Sequence, residues 1–345
     1  MEYKLGCIPS KPDSRDFISK AAIPTDITLP VRTNNKRFVK YVRDQGIFPT
    51  CVGFGSAAYR NIQEEIDYNL PENGLSPLYI YTLCKQIDGI PNTEGTYPRC
   101  ACEIMKEGVL PENDLLYSNL KNTFQLPVIT QEMKNKAISH KIDSYALIKD
   151  NDLLSLKQAI YTQGGAIVGL MVTDSFINPE NGKYIGPPNG TIYGGHLVTI
   201  IDYDDEMEYT FRNGKHYKGF LLVQNSWGKK YGDQGFAWMP YSLLKWKSDI
   251  NLPFIYEMWS CIDYDNPIQP PEIKEFWRVQ LYAFKNRDNA HKASIDLKSK
   301  GFDTYIFQKD GYHKIQCGAF TIEQNAVRLA EKLKNLGYNP WKIRY

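Results

Sequence analysis

Three short blocks, far apart in the chain, constrain the fold more than any other feature: Gln45-Gly46-Ile47-Phe48-Pro49-Thr50-Cys51, Gly194-Gly195-His196, and Gln224-Asn225-Ser226-Trp227-Gly228. A thiol, an imidazole and a carboxamide in that order, with a glutamine six positions before the thiol, are the parts of a cysteine hydrolase. They work together only if the fold carries a helix start, a strand start and the Asn225 block to one point.

The local sequence says how each part would be held. Phe48-Pro49-Thr50 leads into the small and apolar run Val52 to Tyr59, which predicts a helix beginning at Cys51. A thiol there faces the positive end of the helix dipole, which favours thiolate over the ordinary pKa of about 8.5, and an imidazolium neighbour favours it further. His196 opens the apolar run His196 to Tyr203, predicted as a strand. Asn225 can accept from one ring nitrogen and leave the other facing sulfur, with Trp227 covering that bond from water. The Cys51 backbone N–H and the Gln45 side-chain amide would meet a developing oxyanion. Gly194 and Gly195 leave room for a substrate backbone, and Glu206 to His216 reads as a polar hairpin.

Bulk properties exclude several alternatives. The 345 residues, 42% of them apolar, suffice for two domains of roughly 100–200 residues each. A net charge of +2 argues against general nucleic-acid or membrane-surface binding, and no run of about 18 apolar residues predicts a membrane span. Met1 to Gly6 lacks the basic start and apolar stretch of a signal peptide. Seven cysteines, with Cys100 and Cys102 spaced wrongly for a CxxC pair, and five scattered histidines give no expectation of a metal or cofactor. Most of the thiols are expected to be buried, with Cys51 the reactive exception.

Prolines at 9, 12, 24 and 30 predict an irregular arm over residues 1–40, followed by a mixed helix and strand domain over 41–264. Pro267, Pro270 and Pro271 mark 265–273 as a linker. Beyond it, over 274–345, the chain repeats itself at an offset of 36: Trp277 to Phe284 is answered by His313 to Phe320, Asn289-Ala290 by Asn325-Ala326, Leu297 by Leu333 and Gly301 by Gly337. Each copy reads as strand, helix, Gly stop, strand, so the pair predicts a small ferredoxin-like β-α-β-β-α-β unit. Fourteen Lys/Arg against eight Asp/Glu over 272–345 leave that stretch at +6 and the rest of the chain at −4. Strand alternation turns Val279, Leu281, Ile315 and Cys317 toward the helices, and Arg278, Gln280, Tyr282, Lys314, Gln316 and Gly318 onto an open outer face.

Residues 40–264 resemble the papain-like cysteine peptidases. Besides the three blocks, Glu94-Gly95-Thr96-Tyr97-Pro98 and the following helix to Glu107-Gly108-Val109 match a fourth. The resemblance implies an α+β papain-like fold, a helical half plus an antiparallel β-barrel-like half. It implies Cys51 as nucleophile with His196, Asn225 and Gln45, and a substrate site formed by Gly95, Thr96, Gly195, Leu197 and Trp227. Phe48-Pro49-Thr50 and Val52 replace the family's usual Cys-Gly-Ser and Trp around the nucleophile, which removes a usual disulfide. The repeated tail is similar to the SPOR (sporulation-related repeat) domain. That likeness implies binding of peptidoglycan glycan strands stripped of stem peptides, with Arg278, Gln280, Tyr282, Lys314 and Gln316 as the glycan-facing residues.

The expected protein is thus a thiol peptidase acting on peptide or protein substrates through a thioester and held at the bacterial wall by its tail. The alternatives are a peptidoglycan stem-peptide hydrolase and an inert wall-binding adaptor. Expected locations are the wall or exterior after lysis, a phage or tailocin particle, or otherwise the cytoplasm. Members of the family often carry a long helical propeptide; the proline-broken 44 residues before Gln45 are instead expected to pack on the body as a structural arm, the alternative being that they lie across the groove.

Overall fold

The computed structural model describes residues 4–263 and 276–344; the expected linker, 265–273, lies outside the described residues. After a short turn of helix, α1 (Ser19–Ala22), come α2 (Cys51–Ile66), α3 (Pro77–Ile87) and α4 (Pro98–Glu107), which form the helical half, then α5 (Gln131–Ala137), α6 (Leu153–Gln163) and α7 (Asp174–Ile177). Proline in the first turn of α3 and α4 costs no hydrogen bond, because the N–H it lacks has no helical partner there. The Ser76 hydroxyl caps α3 by accepting from Tyr79 N. Gly108 ends α4 at φ 125°, where a β-carbon would lie 2.2 Å from the Ala137 carbonyl oxygen.

Six antiparallel strands form the sheet half: β1 (Ser144–Leu147), β2 (Ala166–Val172), β3 (Gly194–Thr210), β4 (His216–Gln224), β5 (Phe236–Pro240) and β6 (Ile255–Ile262), in the order β1-β6-β2-β3-β4-β5. β2 reads as a continuous apolar run because both its faces are covered. Ile167 packs with Val52, Leu78 and Leu197 on the side of α2, and Val168 and Leu170 join Ile200, Leu221 and Phe254 on the other. The Thr199 hydroxyl donates to the Gly55 carbonyl at 2.8 Å, tying β3 to α2. Within α2, Arg60 is buried among Asp263 at 2.6 Å, the carboxylate of Glu64 and the His140 carbonyl at 3.2 Å.

The tail is a second sheet with two helices: β7 (Trp277–Phe284), α8 (Arg287–Ser299), β8 (Tyr305–Lys309), β9 (Tyr312–Phe320), α9 (Glu323–Asn335) and β10 (Trp341–Arg344), in the order β10-β7-β9-β8. Each helix stops before a glycine of positive φ, Gly301 at 83° and Gly337 at 85°. This is the ferredoxin-like arrangement expected from the repeat.

The outer face of that sheet needs correction. It is not open: Arg278, Gln280 and Gln316 are buried, and Gln316 Nε2 donates to the Ala21 carbonyl at 2.5 Å. The face is covered by the chain's own N-terminal segment, a long-range contact that strand alternation cannot foresee. Tyr282 leaves the face altogether. A register shift between Gln280 and Tyr282 sets Tyr282 opposite Ile315, and cross-strand partners share a side. Lys314 is ion-paired with Asp310 at 3.1 Å.

Candidate active site

Cys51 is the first residue of α2 and fully buried, so the unpaired N–H groups of the first turn surround its sulfur. β3 starts at the cleft with Gly194, Gly195 and His196, and the N–H of Leu197 is directed at the same sulfur. His196 Nε2 lies 2.7 Å from Asn225 Oδ1, just past the end of β4, while Nδ1 is buried with no hydrogen bond of its own. An acceptor on Nε2 fixes the tautomer with the proton there and leaves the Nδ1 lone pair bare. Trp227 lies 4.9 Å from the imidazole, centre to centre, and Phe176 meets the ring edge-on at 5.8 Å, so two aromatic rings enclose it.

Gln45 is held from several directions. The Ser226 hydroxyl donates to its Oε1 at 2.7 Å, its backbone N–H donates to the Ser226 carbonyl at 2.9 Å, and the Tyr117 hydroxyl donates to its carbonyl at 2.7 Å. With Oε1 occupied, the amide must present Nε2 to the cleft. Ser226 and Tyr117 were not singled out by the sequence. The signal for Ser226 was its place inside Asn225-Ser226-Trp227-Gly228; Tyr117 had none.

The cleft is filled by residues 4–10 of the same chain. Gln45 Nε2 donates to the Lys4 carbonyl at 3.0 Å, and the Gly6 N–H is directed at the Cys51 sulfur. Cys7 N donates to the Gly195 carbonyl at 3.1 Å, Thr96 N to the Gly6 carbonyl at 2.9 Å, and Ile8 N to the Thr96 carbonyl at 3.0 Å. The Tyr256 hydroxyl donates to the Cys7 carbonyl at 3.2 Å, and Glu257 accepts from the backbone and hydroxyl of Ser10 at 3.3 Å each. Gly95, Thr96 and Gly195 therefore do contact a peptide backbone, and that backbone is the arm. A β-carbon on Gly195 would lie 2.1 Å from the Cys7 carbonyl oxygen, and one on Gly95 would lie 2.4 Å from that of Gly6. The expectation of a purely structural arm is corrected: the segment runs through the groove. Proline spacing showed that it was irregular, but not where it lies.

Occupancy of the cleft sets its electrostatics. Burial pushes the Cys51 thiol up to about 11, although the backbone N–H groups of Leu197, Gly6 and Val52 pull the other way. Burial also pushes His196 down to about 4, against the hydrogen bond it donates to Asn225 Oδ1. Both shifts disfavour the expected thiolate–imidazolium pair while the arm fills the cleft. Burial also raises Glu257, to about 7. All seven cysteines are free thiols. Among the described residues no cluster of three or more His, Cys, Asp or Glu is arranged to hold a metal ion, and no helix is long and apolar enough to cross a membrane.

A cleft between a helical half and an antiparallel sheet, with a thiol on one wall and an imidazole on the other, is the architecture of the thiol peptidases. Comparison with known proteins agrees. Residues 26–247 match the papain family of cysteine proteases, and the chain belongs to that family; residues 274–344 match the SPOR domain. A peptidase C1-like protein of Acanthamoeba polyphaga mimivirus is 26% identical over 76% of this chain and 88% of its own. Xylellain, a cysteine protease from Xylella fastidiosa, is 25% identical with a TM-score of 0.60, covering 76% of this chain and 98% of that one. The cysteine protease and lectin-like domains of Cwp84, a surface layer associated protein of Clostridium difficile, share the fold at 17% identity, with a TM-score of 0.55 over 75% of this chain and 60% of that one. Residues 4–10, which fill the cleft, lie ahead of the family match.

Proposed function

We propose that the protein is a latent cysteine peptidase in which Cys51 is the nucleophile, His196 the base and Gln45 an oxyanion donor. The observation that supports this most directly is the hydrogen bond from Gln45 Nε2 to the Lys4 carbonyl: the amide already binds a peptide oxygen of the segment whose Gly6 N–H is directed at the Cys51 sulfur. In the open enzyme, Cys51 Sγ attacks a substrate carbonyl carbon and its proton passes to His196 Nδ1. The oxyanion is met by the Cys51 N–H and Gln45 Nε2. His196 then protonates the leaving amine as the C–N bond breaks, and water hydrolyses the thioester to free the acid and restore the thiol. Asn225 keeps the imidazole oriented throughout, and Trp227 shields that bond.

The substrate class is peptide or protein, and the SPOR match supports the tail as a peptidoglycan ligand domain. On this reading the tail carries the enzyme to the bacterial wall, whether released by lysis or carried in a phage or tailocin particle. Gly6→Ala tests the catalytic part in the full chain, because its β-carbon would lie 1.9 Å from the Pro49 carbonyl oxygen and so expel the arm. The variant should cleave a peptide library, and adding Cys51→Ala should abolish cleavage. A Gly6→Ala protein whose Cys51 reacts with iodoacetamide but which cleaves no peptide would leave only the wall-binding adaptor. Release of free amines from purified sacculi, with no cleavage of protein, would move the substrate to stem peptides.

A further inference from the structure

The segment that fills the cleft does not end there. Beyond Ser10 it crosses to the tail and is gripped by it. Lys298, on α8, donates to the carbonyls of Ser14, at 2.9 Å, and Asp16. Phe17 stacks parallel to His291 at 6.1 Å and meets Tyr305 edge-on at 5.4 Å. Thr25 N donates to the Ala319 carbonyl at 3.3 Å, next to the Gln316 contact with Ala21. Asp26 accepts from Thr321 N at 2.5 Å, Ile322 N at 3.0 Å and Asn325 Nδ2 at 2.9 Å, so a carboxylate of the arm closes the N-terminal end of α9. One stretch, residues 4–26, therefore occupies both the cleft and the tail face that the sequence assigned to glycan.

At the junction is a cavity of about 600 Å³, with Phe17 as one wall. Lys106 and Lys141 enter it from the peptidase body, and Arg278, Arg287 and Lys309 from the tail. Asp143 is the one acidic residue among the described residues that line it. Burial and the nearby Arg287 charge push Lys106 downward, as expected where cations are crowded. Such a site suits a chain of evenly spaced carboxylates, and a glycan strand stripped of its stem peptides has that character.

We propose that residues 4–26 act as a strap that links the two domains: a carboxylate-bearing glycan strand entering this basic cavity displaces Phe17 and the strap from the tail sheet, and the same displacement withdraws Lys4 to Cys7 from the cleft. This deepens the proposed function and rests on its reading of the tail as a glycan-binding domain. Because both ligands compete with one segment, the coupling is reciprocal. Whatever factor glycan adds to cleft access, an emptied cleft adds to glycan affinity.

The test uses the full-length protein and reads the rate at which iodoacetamide alkylates Cys51, which needs no substrate. Stripped glycan strands should raise that rate about tenfold or more, within the usual range of such couplings. Lys298→Ala and Asp26→Asn should raise it without glycan, and Gly6→Ala should tighten glycan binding by a similar factor. If Gly6→Ala speeds alkylation while Lys298→Ala and Asp26→Asn stay at the native rate, the strap does not couple the domains. If glycan binds and the native rate is unmoved, the proposal is equally overturned, with the tail reading intact. Failure of every variant to bind glycan removes the proposed partner. A Gly6→Ala protein that alkylates fast but cleaves nothing counts against the peptidase reading alone.

Discussion

Gln45 Nε2 lies 3.0 Å from the carbonyl oxygen of Lys4, so the amide proposed as the oxyanion donor holds a carbonyl of its own chain. The arm that supplies it runs alongside Thr96 in a parallel bridge at Cys7. On the proposed reading, latency and catalysis compete for this hydrogen-bond donor.

Dislodging the arm should free the thiol. A β-carbon at Gly6 cannot fit against the Pro49 carbonyl, and overpacking of that kind costs about 1–3 kcal/mol. Gly6→Ala should therefore raise the rate of Cys51 alkylation roughly 5–150-fold. An unchanged rate, with the far-ultraviolet spectrum preserved, would show that the arm does not limit access.

The His196 ring should titrate abnormally low. Burial holds its pKa at about 4, below the ordinary 6.5, while the arm is docked. In the open form, hydration returns and the value should climb. The open form then binds the extra proton, so the contribution of His196 to closure is present above about pH 6.5 and is lost as pH falls toward 4. An NMR titration of the imidazole in native and Gly6→Ala proteins measures this; a native value near 6.5 would contradict it.

Ser226 should matter through Gln45. In a Gly6→Ala background, Gln45→Ala should lower kcat by about 10²–10³-fold, the usual cost of one oxyanion donor. Ser226→Ala leaves the donor in place but frees Oε1 from its hydroxyl partner, and a loss of about tenfold in kcat with KM little changed is expected. A fall confined to KM would assign Ser226 to substrate binding instead.

Arg60 should be a stability residue. Its guanidinium is buried against Asp263, Glu64 and the His140 carbonyl. Removing it strands buried carboxylates, so Arg60→Ala should destabilise the fold by roughly 3–5 kcal/mol. Urea unfolding followed by tryptophan fluorescence measures it, and a change under about 1 kcal/mol would mean that the network relaxes at little cost.

Much of the fold was legible because its signals are local. The run after Thr50 predicted a helix starting at Cys51, and α2 starts there. The apolar run from His196 became β3, and the 36-residue repeat reappears in the bounds of α8 and α9. Alternation also marked Val279, Leu281, Ile315 and Cys317 as core positions, and all four are buried. It failed at Tyr282 and Gly318, which register shifts set opposite Ile315 and Val279, because nothing in a single strand reports how its partner slips.

The order of thiol, imidazole and carboxamide determined by itself what kind of site this chain can build, since those groups have little other use in that pattern. Where residues 4–26 lie was decided only by tertiary structure. Their backbone N–H and carbonyl groups are satisfied by Gln45, Thr96, Gly195, Ala319 and Gln316, residues scattered along the whole chain. A proline-broken segment has no periodicity to announce such partners, because hydrogen bonds made by its backbone depend on what the finished fold sets opposite it.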